Sequence, residues 1–366
     1  MKKRLFYFLL DGFGCGETSD ACEFGDNGSN TSLHILNKNE YLKQTYLYSI
    51  GLFNCRNKNS FLYPTNPNKD TFSCTNEMFG NVLQRFETFP NGFPKEIVGC
   101  IESTFQVKLI GNKKASGTRI IQELGEYSYS NGFPIIYTSA DSVMQFAAHL
   151  NTLPISELYY MCEIVRRIFS TILPLGRVIA RPFLGTNSTN FYRTSERKDF
   201  SYPLPSNSVI DDLQNRGIKV YGNRIFREVF PLNFINPIYG KENHDWYEYF
   251  QNILSNDPQT NELHLINLED FDMLYGHRRD VIGYGKELKY FSDILEKTIP
   301  LLGDNDAVIL SADHGNDPCF AQHTDHTREY SPYMYLTNKR ATFITEPKPL
   351  SYIGSRIKSF FGLNNE

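Results

Sequence analysis

An α/β fold with a mostly parallel sheet between helices follows from three features of this 366-residue chain. Three runs dominated by apolar residues, Leu5 to Leu10, Leu263 to Leu268 and Ala307 to Leu310, have the length and composition of strands buried on both faces. Each run delivers carboxylates just past its carboxyl end: Asp11, then Asp270 and Asp272, then Asp313. Helical patterns lie between them, among them Asp280 to Leu302, which is placed to cover the sheet. Open α/β sheets keep their sites at this carboxyl edge.

Taken in order, Met1-Lys2-Lys3-Arg4 and the apolar residues behind it imitate a signal peptide. The apolar stretch is short and ends in Asp11, so it reads as the first strand. Gly12-Phe13-Gly14 is a flexible turn, and Asn54 to Asn68 is Asn-rich and expected to be irregular. Lys69-Asp70-Thr71 follows. Residues 86–205 carry their own alternation of elements, with strands at Ile135 to Tyr137 and Val178 to Ala180. An amphipathic helix from Ser156 to Leu173 has Ser156 and Glu157 at its start. This stretch holds none of the candidate metal ligands, which marks it as an inserted smaller α/β cap domain. Residues 1–85 and 206–366 form the catalytic core domain, resumed by a helix at Val209 to Leu213 and closed by an amphipathic helix, Tyr352 to Leu363.

The densest chemistry is Ser311-Ala312-Asp313-His314-Gly315-Asn316-Asp317-Pro318, followed by Thr324-Asp325-His326-Thr327-Arg328-Glu329. With the other strand ends, Asp11, Asp272, His277, Asp313, His314 and His326 make six carboxylate and imidazole donors, too many for one ion with an open position. They suit two divalent ions, and mixed Asp/His donors favour Mn2+ or Zn2+ over Mg2+ or Ca2+. Such a pair, about 3.5–4 Å apart, clamps both oxygens of an in-line phosphoryl displacement. Thr71 is the candidate nucleophile, because a threonine hydroxyl beside a divalent ion can ionise near neutral pH.

Net charge and thiols narrow the class. A charge of −4 offers no field for nucleic acid, and the 23 tyrosines and 28 phenylalanines are scattered rather than arranged as a base-stacking platform. Seven cysteines without a CxxC pair read as reduced thiols of a cytoplasmic protein. Cys15 and Cys74 are read as non-ligands. No run approaches the ~18–20 apolar residues of a membrane span. His34, His149, His264 and Trp246 are expected to be structural, and His323 to lie on the surface.

Assembled, these segments resemble the phosphopentomutases of the alkaline phosphatase superfamily. The resemblance rests on Asp11-Gly12-Phe13-Gly14-Cys15-Gly16-Glu17, Phe24-Gly25-Asp26-Asn27-Gly28-Ser29-Asn30-Thr31 and Phe89-Pro90-Asn91-Gly92-Phe93-Pro94. It continues through Ala115-Ser116-Gly117-Thr118, Tyr137-Thr138-Ser139-Ala140-Asp141-Ser142-Val143, Gly176 to Phe183, and Phe271-Asp272 to Asp280. It implies an alkaline-phosphatase-like core with an inserted cap, and interconversion of ribose or 2-deoxyribose 1-phosphate with the 5-phosphate. The implied route runs through a phosphorylated Thr71 and a sugar 1,5-bisphosphate, which also serves as activator, with Mn2+ as the metal. By motif, Asp272, His277 and His326 would hold one ion and Asp11, Thr71, Asp313 and His314 the other. Ser139, Asp141 and Arg177 would bind the sugar and its distal phosphate, since arginine takes phosphate in a bidentate manner.

The chain departs from the family at two places near this chemistry. The family's Lys-Asp-Thr-x-Thr-Gly-His-Trp-Glu is here Lys69-Asp70-Thr71-Phe72-Ser73-Cys74-Thr75-Asn76-Glu77, so an imidazole and an indole are lost beside the nucleophile. A family Gly-Lys is replaced by Gly222-Asn223-Arg224, where Arg224 is the candidate cation for phosphate. These losses keep two other functions open: a metal-dependent phosphohydrolase or a mutase for another phosphosugar, and a non-catalytic, metal-stabilised protein.

Overall fold

The computed structural model describes residues 2–54, 60–83, 85–139, 142–169, 172–173, 175–202, 208–230, 233 and 235–363. The chain divides into two compact units, residues 1–83 with 205–366, and residues 84–204.

In the larger unit the apolar runs become neighbouring parallel strands. Arg4–Leu9 lies between Glu262–Asn267 and Asp306–Ser311, with Leu9 level with both Asn267 and Ser311. All three strands are buried along their length, which is why they carry no hydrophobic alternation. The parallel set continues outward through Lys219–Gly222 to Asn236–Pro237. On the other side Ser331–Leu336 runs antiparallel to Asp306–Ser311 and leads to Phe61–Tyr63 and Lys348–Pro349. Phe61–Tyr63 is thus a short strand inside the stretch expected to be irregular; residues 55–59 of that stretch lie outside the described set.

One face of the sheet supplies Phe6, Phe8, Ile266, Val308 and Leu310 to a core shared with Tyr284, Leu288, Phe291 and Leu295. Those four come from the helix Val281–Thr298, N-capped by Asp280, whose side chain accepts from the Gly283 N–H, and extended by a 3-10 turn, Ile299–Leu301. Trp246 is buried in the helix Asn243–Leu254, as expected of a packing residue. The helix Val209–Asn215 starts with a reciprocal cap between Ser208 and Asp211. At the amino edge, Arg4 pairs with Asp306 at 2.8 Å in a buried contact and donates to the Ile253 and Asn256 carbonyls.

The smaller unit has its own sheet, ordered Ile110–Lys114, Ile135–Thr138, Val143–His149, Arg177–Leu184, Tyr192–Arg193, with Lys198–Ser201 also on Arg177–Leu184. Ile135–Thr138 is antiparallel to Val143–His149, a strand that the sequence reading passed over. Ile136, Met144, Phe146 and Val178 pack against Ile101 of the helix Lys95–Phe105 and Leu158, Met161 and Val165 of Ile155–Phe169. The opposite face, with Ile135, Tyr137 and Phe183, meets Ile120 and Ile121 of Gly117–Asn131. The helix expected from Ser156 to Leu173 is described over Ile155–Phe169, and Ile172 and Leu173 are not helical; residues 170 and 171 lie outside the described set.

Candidate metal centre

Strand register puts the acidic residues together. Asp11 and Asp313 leave adjacent strands, and the turn at Gly12, with φ at +72°, lets its N–H donate to Asp313 Oδ1 at 3.1 Å. From the third strand the chain enters a π-helical turn, Phe271–Gly276, which carries Asp272 and ends at His277. Such turns recur at functional sites. Paired bonds between Gly315 and Thr327 bring His326 over His314, their rings stacked at 4.0 Å. Thr71 opens the helix Thr71–Met78, whose N-cap Asp70 accepts from the Ser73 N–H.

Two groups of donors result. Thr71 Oγ1 lies 3.4 Å from Asp11 Oδ1 and 3.1 Å from His314 Nε2. His314 Nε2 is 3.2 Å from Asp313 Oδ2 and 3.6 Å from Asp11 Oδ1. On the other side His277 Nε2 and His326 Nε2 are 3.2 Å apart, and lie 3.2 and 3.5 Å from the two oxygens of Asp272. Donor atoms of Asp11, Asp313 and His314 fall within 4.8 Å of one another, as do those of Asp272, His314 and His326, so His314 stands between the groups. All six expected side chains and the Thr71 hydroxyl therefore converge.

The centre fits divalent cations. Each histidine uses Nδ1 on a backbone carbonyl: His277 on Thr324 at 2.8 Å, His314 on Gly315 at 3.1 Å, His326 on Lys69 at 3.1 Å. A carbonyl can only accept, so Nδ1 carries the proton and the Nε2 lone pair of the neutral ring faces the cluster, as metal ligation requires. Asp313 Oδ2 is buried and accepts no hydrogen bond from the described residues. Burial, then the Asp313 and Asp272 carboxylates, hold Asp11 well above the usual carboxylate range. Burial acts the same way on Asp272, but His326 and His277 outweigh it and keep that carboxyl well below. Burial lowers His314, which favours its neutral form. Three buried carboxylates with so little positive charge call for cations.

Other expected residues are placed as follows. Arg224 directs its guanidinium to Glu228, at 2.9 Å, and to Glu269. Ser139 follows the strand Ile135–Thr138, half-buried, and Asp141 lies outside the described residues. Arg177 Nη1 is 3.4 Å from Asp199 Oδ2, a carboxylate that Arg197 also holds. Neither Cys15 nor Cys74 enters a donor group. Cys74, Thr75 and Asn76 are at most 1% exposed, so the segment that departs from the family is packed interior. His323 keeps its side chain 27% exposed, and its Nε2 reaches Asp26 Oδ1 at 2.7 Å. His34 pairs with Asp317, His149 bonds the Gly185 carbonyl, and His264 is buried between Phe6 and Tyr221, all outside the donor groups.

The supporting shell was not foreseen. Asn267 Nδ2 donates to Asp11 Oδ2 at 2.7 Å, and Asn267 is itself bonded to Asn223. Asn316 Nδ2 donates to Asp272 Oδ1 at 2.7 Å. Both asparagines sit in segments already marked, one ending a strand and one beside His314; amides there were the available signal. Arg279, with φ at +58°, caps the carbonyls of Gly276, Asp317 and His323.

Residues 237–365 match the model of the Metalloenzyme superfamily. That match and the strand-end donor groups support binding of divalent metal by this chain. Phosphopentomutase of Dictyoglomus thermophilum is 41% identical over 380 residues, covering 100% of this chain and 96% of that one. Phosphopentomutase of Acetivibrio thermocellus is 36% identical, covering 96% of each. The chain belongs to the phosphopentomutase family, whose members are phosphoryl-transferring isomerases. Among solved structures, phosphoglycerate mutase of Leishmania mexicana covers 100% of this chain and 96% of its own at 11% identity, with a TM-score of 0.49.

Proposed function

We propose that this enzyme interconverts ribose or 2-deoxyribose 1-phosphate and the corresponding 5-phosphate, with Thr71 carrying a phosphoryl group between turnovers. The observation that carries the proposal is the Thr71 hydroxyl, 3.4 Å from Asp11 and 3.1 Å from His314. In the first half-reaction the bond from phosphorus to Thr71 Oγ1 breaks and a bond to the sugar's free hydroxyl oxygen forms, with that hydroxyl's proton passing to Thr71 Oγ1. The product is the 1,5-bisphosphate. In the second half Thr71 Oγ1 bonds to the other phosphorus, the bond from that phosphorus to its sugar oxygen breaks, and the isomeric monophosphate leaves with the Thr71 proton on that oxygen. The same bisphosphate would prime an enzyme that has lost its phosphoryl group.

Asp11, Asp313, His314 and Thr71 would hold one divalent ion, and Asp272, His277 and His326 the other, with Mn2+ suiting the mixed donors. When bound, such ions neutralise the charge that builds on the transferred phosphoryl group. The protein orients Thr71 at a helix N-terminus, where backbone N–H groups favour an anion. We assign Ser139, Asp141 and Arg177 of the smaller unit, as a cap domain, to the sugar and its distal phosphate on the motifs they match. Arg224 is assigned to phosphate by its place just past the strand Lys219–Gly222, with exposed Glu228 as the carboxylate it would exchange. Its six described cysteines are free thiols, and we place the enzyme in the cytoplasm.

The test is Mn2+-loaded protein with ribose 5-phosphate and a trace of bisphosphate primer. Ribose 1-phosphate is expected, and Thr71→Ala should produce none. Release of free phosphate instead would mark a phosphohydrolase; no turnover of any phosphosugar would mark a non-catalytic protein.

A further inference from the structure

We propose that Asp26 is a positioning residue that clamps the segment carrying Thr71 to the segment that orients His277 and His326. Asp26 is fully buried, and its carboxylate is shared by three donors from two distant stretches of chain. The Lys69 ammonium, two residues before Thr71, lies 3.0 Å from both oxygens. His323 Nε2 donates to Oδ1 at 2.7 Å, and the Arg328 backbone N–H donates to Oδ2 at 2.7 Å. His323 Nδ1 accepts the Asp325 N–H at 3.2 Å, which leaves the ring proton on Nε2, aimed at Asp26.

The span from His323 to Arg328 is therefore held at both ends by one carboxylate, and both histidines of the second donor group depend on it. His326 lies inside the span, its N–H bound to Asp325 Oδ1 at 2.9 Å. The Thr324 carbonyl, which fixes the tautomer and ring direction of His277, lies inside it too. Across the junction the Lys69 carbonyl orients His326, and Arg328 Nη1 donates to the Asn68 carbonyl at 2.6 Å. The three connections make the nucleophile's approach strand and the histidine loop one mechanical unit with Asp26 at its hub. Asp11, Asp313 and His314 are held by strand ends and the Gly12 turn instead, so they should not feel the clamp.

The role rests on the two-ion assignment proposed above, and its test separates the two. Mn2+ is titrated into metal-free protein by calorimetry, with electron paramagnetic resonance counting the ions retained per chain. Wild type is expected to take two ions. Outer partners of metal-ligating histidines typically set affinity by about 10–100-fold, so Asp26→Asn should weaken the ion of Asp272, His277 and His326 by that factor, and the other ion, for which Thr71 is the one clamped ligand, by much less. His323→Ala, which keeps the Asp26–Lys69 pair, should weaken the same ion by less. The less affected ion in the same molecule is the check that the fold is intact. Two ions in wild type with neither affinity moved in Asp26→Asn, or both moved alike, would overturn the clamp and spare the metal assignment. Wild type binding no Mn2+ would overturn both.

Discussion

Glu329 should make the larger unit less stable as the medium becomes alkaline, and its amide variant should abolish that trend. The side chain is 1% exposed and accepts four hydrogen bonds: from the Gly16 and Thr31 N–H groups on Oε2, and from the Thr31 and Thr327 hydroxyls on Oε1. It so joins the loop after Asp11 to the residue after His326, and Gly14 and Gly315 pack so closely that a Cβ on either would overlap it. Burial, reinforced by Asp317, pushes its carboxyl from 4.5 up to about 7, against the pull of the N–H and hydroxyl donors. A pKa raised on folding means that the folded protein binds the proton more tightly. The resulting stability is fully present below 4.5 and is lost as pH rises through about 7. That interval corresponds to about 3 kcal/mol at about 1.36 per decade. Glu329→Gln stays neutral throughout. Its amide oxygen can take the two N–H groups while its NH2 donates to the two hydroxyls, so the fold should survive. Urea unfolding of metal-free protein, followed by the fluorescence of Trp246, the only tryptophan, should show the variant gaining on wild type by up to about 3 kcal/mol between pH 4.5 and 8. Parallel stability curves for the two proteins would refute the reasoning.

Asn316→Ala should cost Mn2+ affinity by about 10–100-fold, because Asp272 loses the amide that orients it; isothermal titration would show it. His277 is raised above 6.5: burial opposes this, but its bond to Asp272 and that carboxylate's charge prevail. Protons should therefore compete with metal at a pH where a free imidazole would not yet be charged, and titrating Mn2+-loaded protein with acid should release the ion of Asp272, His277 and His326 before the other. Restoring the family's Gly-His-Trp at Cys74, Thr75 and Asn76 should lower the melting temperature, because three interior positions at most 1% exposed would have to accept an imidazole and an indole. Overpacking of this kind typically costs about 1–3 kcal/mol. An unchanged melting temperature would show that the helix Thr71–Met78 has room to shift.

What the sequence discloses about this fold depends on which physical signal each part leaves. The central strands are legible because burial on both faces demands continuous apolar residues, and the donors are legible because each follows such a run directly. Val143–His149 escapes notice because Gln145 and His149 interrupt its apolar residues, although Gln145 is 4% exposed and His149 fully buried. The π-helical turn under Asp272 leaves no mark in Phe271-Asp272-Met273-Leu274-Tyr275-Gly276, since it is set by packing rather than by turn-forming residues. The supporting shell is the least legible. Asn267, Asn316, Asp26 and Glu329 look in the chain like polar residues bound for solvent, and only the register of distant segments turns them inward. His323 does stay partly exposed, but nothing in a polar loop shows that Asp26, far away in sequence, is its acceptor.

The two donor groups are electrically unequal, and this bears on how the centre is built. On one side Asp11 and Asp313 face each other with only a neutral His314 between them; burial and mutual repulsion drive the Asp11 proton affinity up. On the other, Asp272 is buried as deeply but has His277 and His326 for partners, and its proton affinity falls. The first group therefore gains most from a divalent ion, because the ion removes a repulsion. The second can balance itself with a proton, so an ion there must displace that proton and gains less. This explains why the rigid supports, three strand ends and a tight glycine turn, serve the first group. The second relies on a loop held by side chains, in which Asp26, His323 and Arg328 supply the order that the sheet does not.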